Sequence, residues 1–243
     1  MSVFIVLPVY NVESTIVSFI QELLDEIQGL TVICSEDGSS DETRKIIEQH
    51  YSSVDQVILL EPSPRKGYAL AVVDGVAAIR GQPDDVVIFS DSDAQISARE
   101  ISKVYREYME AESVGFHIAT GCRSNRADGH LRLLMSRMWY ALVKVLWPSI
   151  SLRDPSSPLV VTSVEIAQKI SNQWLDLGRR KIEGFWWEFQ VIAVSFGLIV
   201  AEFNVVHETR KDGRATQVYK VRSILGILVR NLIDLIRLRV QLL

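Results

Sequence analysis

A chain of 243 residues, 48% apolar and 23% charged, carries enough apolar material for one large α/β domain or a domain with an appendage. A net charge of −4 gives no electrostatic case for a nucleic-acid partner. Two cysteines, Cys34 and Cys122, argue against a disulfide framework and read as buried thiols in a reducing cytoplasm, and the four histidines show no metal-ligand spacing. The first apolar run, Val3 to Val9, is too short for a leader, and no stretch reaches the ~20 uncharged apolar residues of a membrane span.

Val3 to Leu7 reads as a buried strand with Pro8-Val9-Tyr10-Asn11 as its exit. A helix over about Glu13 to Gln28 carries Ile16, Ile20, Leu23 and Ile27 on one face and closes at Gly29. The strand Leu30 to Cys34 leads into Ser35-Glu36-Asp37-Gly38-Ser39-Ser40-Asp41-Glu42, where Ser39 and Glu42 have the spacing of a capping box for a helix to Tyr51. A strand at Val57 to Leu60, a loop holding Arg65-Lys66-Gly67 and a small-residue helix from Tyr68 to Ile79 follow. Val86 to Ser90 is a strand buried on both faces, ending in Asp91-Ser92-Asp93-Ala94-Gln95.

This alternation predicts a mainly parallel sheet with helices on both faces, whose ligands bind beyond the carboxyl ends of the strands. If the strand continues, Asp91 and Asp93 point to one side, with Gln95 next, and suit a hard cation such as Mg²⁺ or Mn²⁺. A solvated acidic turn is the plainer reading of so short a motif. Polar clusters at Pro8–Asn11, Glu36–Asp41 and Asp91–Gln95, with Arg65 and Lys66 after a further strand, favour a site. No glycine-rich dinucleotide or P-loop fingerprint is present, so a diphosphate would be held by metal and basic side chains.

The second half reads as a helix Ala98–Glu110, a strand His117–Thr120, a helix Leu131–Trp147, a loop Arg153–Pro158 and a strand Leu159–Thr162. A helix Val164–Leu177, a helix starting near Glu183, a strand Leu198–Val206 and a basic loop His207–Thr216 complete it. We divide the chain into a catalytic domain, 1–217, and a Leu- and Arg-rich helical tail, 218–243, which lies on a membrane surface, packs on its own domain or pairs with a second subunit.

Pro8-Val9-Tyr10-Asn11, Glu36-Asp37-Gly38-Ser39-Ser40-Asp41, Lys66-Gly67-Tyr68-Ala69 and Asp91-Ser92-Asp93 together resemble the family 2 glycosyltransferases of GT-A fold. Gly121-Cys122-Arg123, Met135-Ser136-Arg137, Arg153-Asp154-Pro155-Ser156-Ser157 and His207-x-x-Arg210-x-x-Gly213 are similar to the polyprenyl-phosphate sugar synthases of the dolichyl-phosphate mannose type. Glu36 stands where that family usually has Asp, and Pro158-Leu159 where it usually has Gly-Phe.

The resemblance implies an inverting transfer of a sugar from a nucleotide-diphosphate donor to a polyprenyl phosphate, by a cytoplasmic protein that is peripheral at the membrane face. It assigns Pro8, Tyr10, Glu36, Asp37, Lys66, Asp91 and Ser92 to the nucleotide sugar, and Asp91, Asp93 and Gln95 to Mg²⁺ or Mn²⁺. Asp93, Asp154 and Arg123 are its catalytic candidates; Arg137, Arg210 and Arg214 are those for the acceptor phosphate. A lipid phosphate is already ionised and needs cations, whereas a sugar hydroxyl needs a base. Asp154 is a base or a structural cap, and Glu188, among aromatics, is a carboxylate of raised pKa if buried, or an anchor for the basic loop. The alternatives are a soluble family 2 enzyme acting on a glycan or small molecule, and a nucleotide-sugar-binding protein without activity.

Overall fold

The strand β1 (Val3–Val9) is buried along its whole length, as a continuous apolar run in the middle of a parallel sheet must be. The computed structural model describes residues 1–110, 115–124, 140–148, 150–178, 184–209 and 224–242. Its remaining strands are β2 (Leu30–Glu36), β3 (Val57–Leu59), β4 (Val86–Phe89), β5 (Ile118–Ser124), β6 (Val160–Ser163) and β7 (Val200–Val206). The helices are α1 (Ile16–Glu26), α2 (Thr43–Tyr51), α3 (Tyr68–Ala78), α4 (Ala98–Glu110), α5 (residues 140–146), α6 (Val164–Asp176), α7 (Phe185–Ser195) and α8 (Ile224–Gln241).

The strands form one seven-stranded sheet in the order β3-β2-β1-β4-β6-β5-β7. β6 runs antiparallel to both neighbours, and every other pairing is parallel. Alternation along β1 separates two cores. Val3, Ile5, Leu7 and Val9 pack under α1, α2 and α4, while Phe4 and Val6 pack under α3, α6 and α7. α3 lies close to the sheet because it is built of small residues; a Cβ at Gly75 would collide with Val6. Cys34 and Cys122 are buried thiols outside any disulfide, and burial pushes the Cys34 thiol up to about 12, leaving it inert.

Three local expectations are corrected. β4 stops at Phe89, and a turn rather than extended chain carries Asp91-Ser92-Asp93, so strand alternation does not set their directions. The Ser39–Glu42 capping box does not form: α2 starts at Thr43 with Glu42 as an N-cap without a side-chain bond, and the Ser39 hydroxyl accepts the Asn11 N–H of the β1 exit. The third concerns Pro8, which lies within β1 rather than after it. Val6 offers its carbonyl to Ser90 beside β4, and Pro8 shares that parity, but β4 has ended at its level. The missing N–H therefore costs no ladder bond.

α8 docks on its own domain. Leu235 and Leu238 are fully buried against Val143, Trp147, Trp187 and Val191, and the Gln241 amide donates to the Leu177 carbonyl at 3.4 Å. Leu232, Ile233, Ile236 and Val240 face outward. The expected boundary at 217/218 lies outside the described residues. Among the described residues no helix is long and apolar enough to cross a membrane.

Candidate active site

The register aligns Ile33, Val6, Phe89, Val160, Thr120 and Glu202 in one row across the sheet. Everything beyond that row on the parallel strands belongs to their carboxyl edge. It gathers Pro8 to Asn11, Glu36 and Asp37, Asp91 to Gln95, and Arg123, and the reversed β6 brings Arg153 to Leu159 to the same edge.

The exit loops are fastened to one another. The Asn11 side-chain oxygen accepts the Ser40 N–H at 2.8 Å, and Asn11 takes φ 51 to present it. Glu36 accepts the Ser39 N–H and lies 4.0 Å from Arg44. The buried Asp37 carboxylate accepts the N–H groups of Lys66, at 2.6 Å, and Gly67, at 2.9 Å, anchoring the start of α3. Gly38 makes this possible: it has φ 71, and a Cβ there would sit 2.8 Å from the backbone nitrogen of Arg65.

Basic side chains on this loop are engaged as well. Arg65 stacks 3.9 Å above the Tyr10 ring and donates to its hydroxyl at 2.9 Å, while Lys66 pairs with Asp74. A ligand recruiting Lys66 must therefore compete with a half-exposed ion pair, a modest barrier.

At the end of β4 the Ser92 hydroxyl turns inward and donates to the Pro8 carbonyl at 2.8 Å. Asp91 and Asp93 flank it. Asp91 accepts the Tyr68 hydroxyl at 2.6 Å, and Tyr68 in turn accepts the Trp186 indole N–H at 2.7 Å. The Tyr68 ring is partly exposed, but desolvation around its hydroxyl and then the Asp91 charge hold it well above its ordinary pKa, so it remains a donor. Asp93 caps its own turn by accepting the Gln95 N–H at 3.1 Å. Gln95 reaches across to the exit of β7, its side-chain amide donating to the Glu208 carbonyl at 3.0 Å and its backbone carbonyl accepting the Glu208 N–H at 2.8 Å.

Across the sheet, Arg123 grips Asp154 at two points, 2.6 Å and 2.9 Å, and also donates to the Ser156 carbonyl. Glu202 holds the loop from the other side by accepting the N–H groups of Arg153 and Asp154. The pair fixes the 153–158 loop.

Glu188 is fully buried and accepts the Trp174 indole N–H at 2.6 Å. Arg137, Arg210 and Arg214 lie outside the described residues. Tyr68, Trp186 and Glu202 are additions that sequence reasoning missed. Tyr68 was visible beside Gly67, but nothing along the chain announces a partner 118 residues away.

The donor set fits a hard cation shared with a diphosphate. Asp91 and Asp93 supply carboxylate oxygens, and among the described residues no cluster of three or more His, Cys, Asp or Glu could enclose an ion. Phosphate oxygens and water would complete the shell, as Mg²⁺ and Mn²⁺ allow.

Residues 4–170 match the family model described as glycosyl transferase family 2. The chain belongs to that family. No curated protein sequence matches it significantly. Among solved structures, glucosyl-3-phosphoglycerate synthase from Mycobacterium tuberculosis in complex with Mn²⁺, uridine diphosphate and glucosyl-3-phosphoglycerate is 20% identical, with a TM-score of 0.67 over 98% of this chain and 79% of that one. The same enzyme bound to phosphoglyceric acid gives 20% identity, a TM-score of 0.65 and the same coverage. The crystal structure of a mycobacterial protein gives 19% and 0.69, over 98% of this chain and 74% of that one. At such identity the likeness is one of fold, the GT-A fold, and it spans both halves of this family 2 chain.

Proposed function

We propose that this family 2 protein transfers a sugar from a nucleoside-diphosphate donor, with Mn²⁺ or Mg²⁺, to a small soluble acceptor carrying negative charge. The observation that supports it most is the convergence of the β1, β2 and β4 exits, with Asp91 and Asp93 beside a Ser92 anchored on Pro8. In this reading Pro8, Tyr10, Glu36, Asp37, Lys66 and Ser92 shape the nucleoside end, Asp37 by holding the Lys66–Gly67 turn and Ser92 by holding the β1 exit. Asp91 and Asp93 hold the cation, with Gln95 bracing their loop against the β7 exit. The bound cation would offset charge on the departing nucleoside diphosphate. Arg123 and Asp154 shape the acceptor side, and Arg137, Arg210 and Arg214 supply cations for an anionic acceptor.

The soluble acceptor replaces the polyprenyl phosphate as the leading reading. The solved synthase of this fold is seen in complex with Mn²⁺ and uridine-diphosphate-glucose together with glycerol 3-phosphate or phosphoglyceric acid. The lipid reading keeps one observation in its favour, the outward apolar row Leu232, Ile233, Ile236 and Val240 on α8 beside the exposed Arg237.

One assay separates the two. Uridine-diphosphate-glucose and Mn²⁺ are offered with phosphorylated three-carbon acids, or with polyprenyl phosphate in detergent. Transfer to the soluble acids is expected; product formed with the lipid alone would reverse the order.

A further inference from the structure

Tyr68 stands first in α3 and Trp186 second in α7, and only folding brings them together at Asp91. Trp186 is 6% exposed and packs edge-on against Phe89, the last residue of β4, at 5.3 Å. Its indole N–H can only donate, so the Tyr68 oxygen must accept it and turn its single proton elsewhere. That proton goes to the Asp91 carboxylate at 2.6 Å, within the range of a charge-assisted bond. The direction Trp186 to Tyr68 to Asp91 is thus fixed, with no alternative tautomer or rotor to choose from. A side chain on α7 is thereby linked, through Tyr68, to a carboxylate on the β4 exit.

We propose that Tyr68, held by Trp186, is a positioning residue that aims the Asp91 carboxylate at the cation of the donor diphosphate. This rests on the reading of Asp91 and Asp93 given under the proposed function. Groups that orient a metal-binding carboxylate change cation affinity about 10–100-fold when removed. Loss of the hydroxyl should therefore be felt in cation binding rather than in the grip on the nucleoside.

The test is calorimetry of uridine diphosphate, with and without Mn²⁺, on the full chain and on Tyr68→Phe, Trp186→Phe and the double variant, each first confirmed folded by thermal melting. Tyr68→Phe should leave metal-free nucleotide binding within about twofold and weaken the Mn²⁺-dependent part by about tenfold or more. Trp186→Phe should move the same quantity in the same direction. The double variant should be no worse than Tyr68→Phe, because Trp186 acts through Tyr68.

Mn²⁺ dependence unchanged within twofold in Tyr68→Phe, or losses that multiply in the double variant, would overturn the assignment. If Tyr68→Phe does not fold, Trp186→Phe decides alone, and an unchanged Mn²⁺ affinity there overturns it. If the unmodified protein shows no Mn²⁺-dependent nucleotide binding, the cation site itself falls, and Tyr68 with it. If the unmodified protein binds and Tyr68→Phe binds equally, only the role of Tyr68 falls.

Discussion

Arg123 meets Asp154 through two hydrogen bonds, 2.6 Å and 2.9 Å long, with both side chains about nine-tenths buried. A buried pair of this kind adds little net stability, but removing one partner strands the other charge. Arg123→Ala or Asp154→Ala should each lower unfolding free energy by about 3–5 kcal/mol, whereas a joint apolar replacement, Arg123→Met with Asp154→Leu, should cost much less. Urea titration of the three variants checks this. A loss in the double variant equal to the sum of the two single losses would mean the charges are not coupled.

Asp85 gives a pH signature distant from the site. Its carboxylate accepts the N–H groups of Ser2, at 2.6 Å, and Gln82, at 2.7 Å, and these bonds, the Ser2 bond foremost, hold its pKa below the ordinary 3.8. A lowered folded pKa means the ionised form favours folding. That contribution is complete above the unfolded pKa and disappears as pH falls below about 4 through the folded value. Melting temperatures measured from pH 6 to pH 3 should fall less for Asp85→Asn than for the unmodified protein. Parallel curves would show that Asp85 is not the titrating group.

Docking of α8 on its own domain predicts a contrast between two neighbouring positions. Leu238 is fully buried, and Leu238→Ala should cost about 2–4 kcal/mol through lost burial and the cavity left behind. Ile236 is half exposed, and Ile236→Ser should change stability by no more than about 0.5 kcal/mol. Denaturant midpoints of the two variants are the measurement. Indifference at Leu238 would mean that its partner is a membrane or a second subunit.

The parallel half of the fold was legible because its signals are local. Four apolar strands, each followed by an amphipathic or small-residue helix, specify the sheet, and ligand-type residues collect at the strand ends. The reversal of β6 was not legible, since the composition of a strand as short as Val160–Ser163 does not encode its direction in the sheet. The Ser39–Glu42 box failed because α2 starts later, at Thr43, and Ser39 is tied to the β1 exit through Asn11, a tertiary contact that local spacing does not show. Asp91 and Asp93 were found for a reason the turn overrules: strand alternation ends at Phe89, and Ser92 on Pro8 and Tyr68 on Asp91 organise them instead. Contacts such as Arg123 with Asp154 and Gln95 with Glu208 join residues 31 and 113 apart, and no spacing rule reaches that far.

The central claim is that Asp91 and Asp93 hold a cation on the donor diphosphate. The direct measurement is the melting temperature with uridine diphosphate and Mn²⁺, in the unmodified protein and in Asp93→Asn. A ligand at about 100 times its Kd adds roughly 2.7 kcal/mol to the folded state, several degrees for a domain of this size. The account predicts a clearly larger rise in the unmodified protein with Mn²⁺ than with the nucleotide alone, and loss of that Mn²⁺-dependent increment in an Asp93→Asn protein that melts normally without ligand. The same Mn²⁺-dependent rise in Asp93→Asn would contradict it.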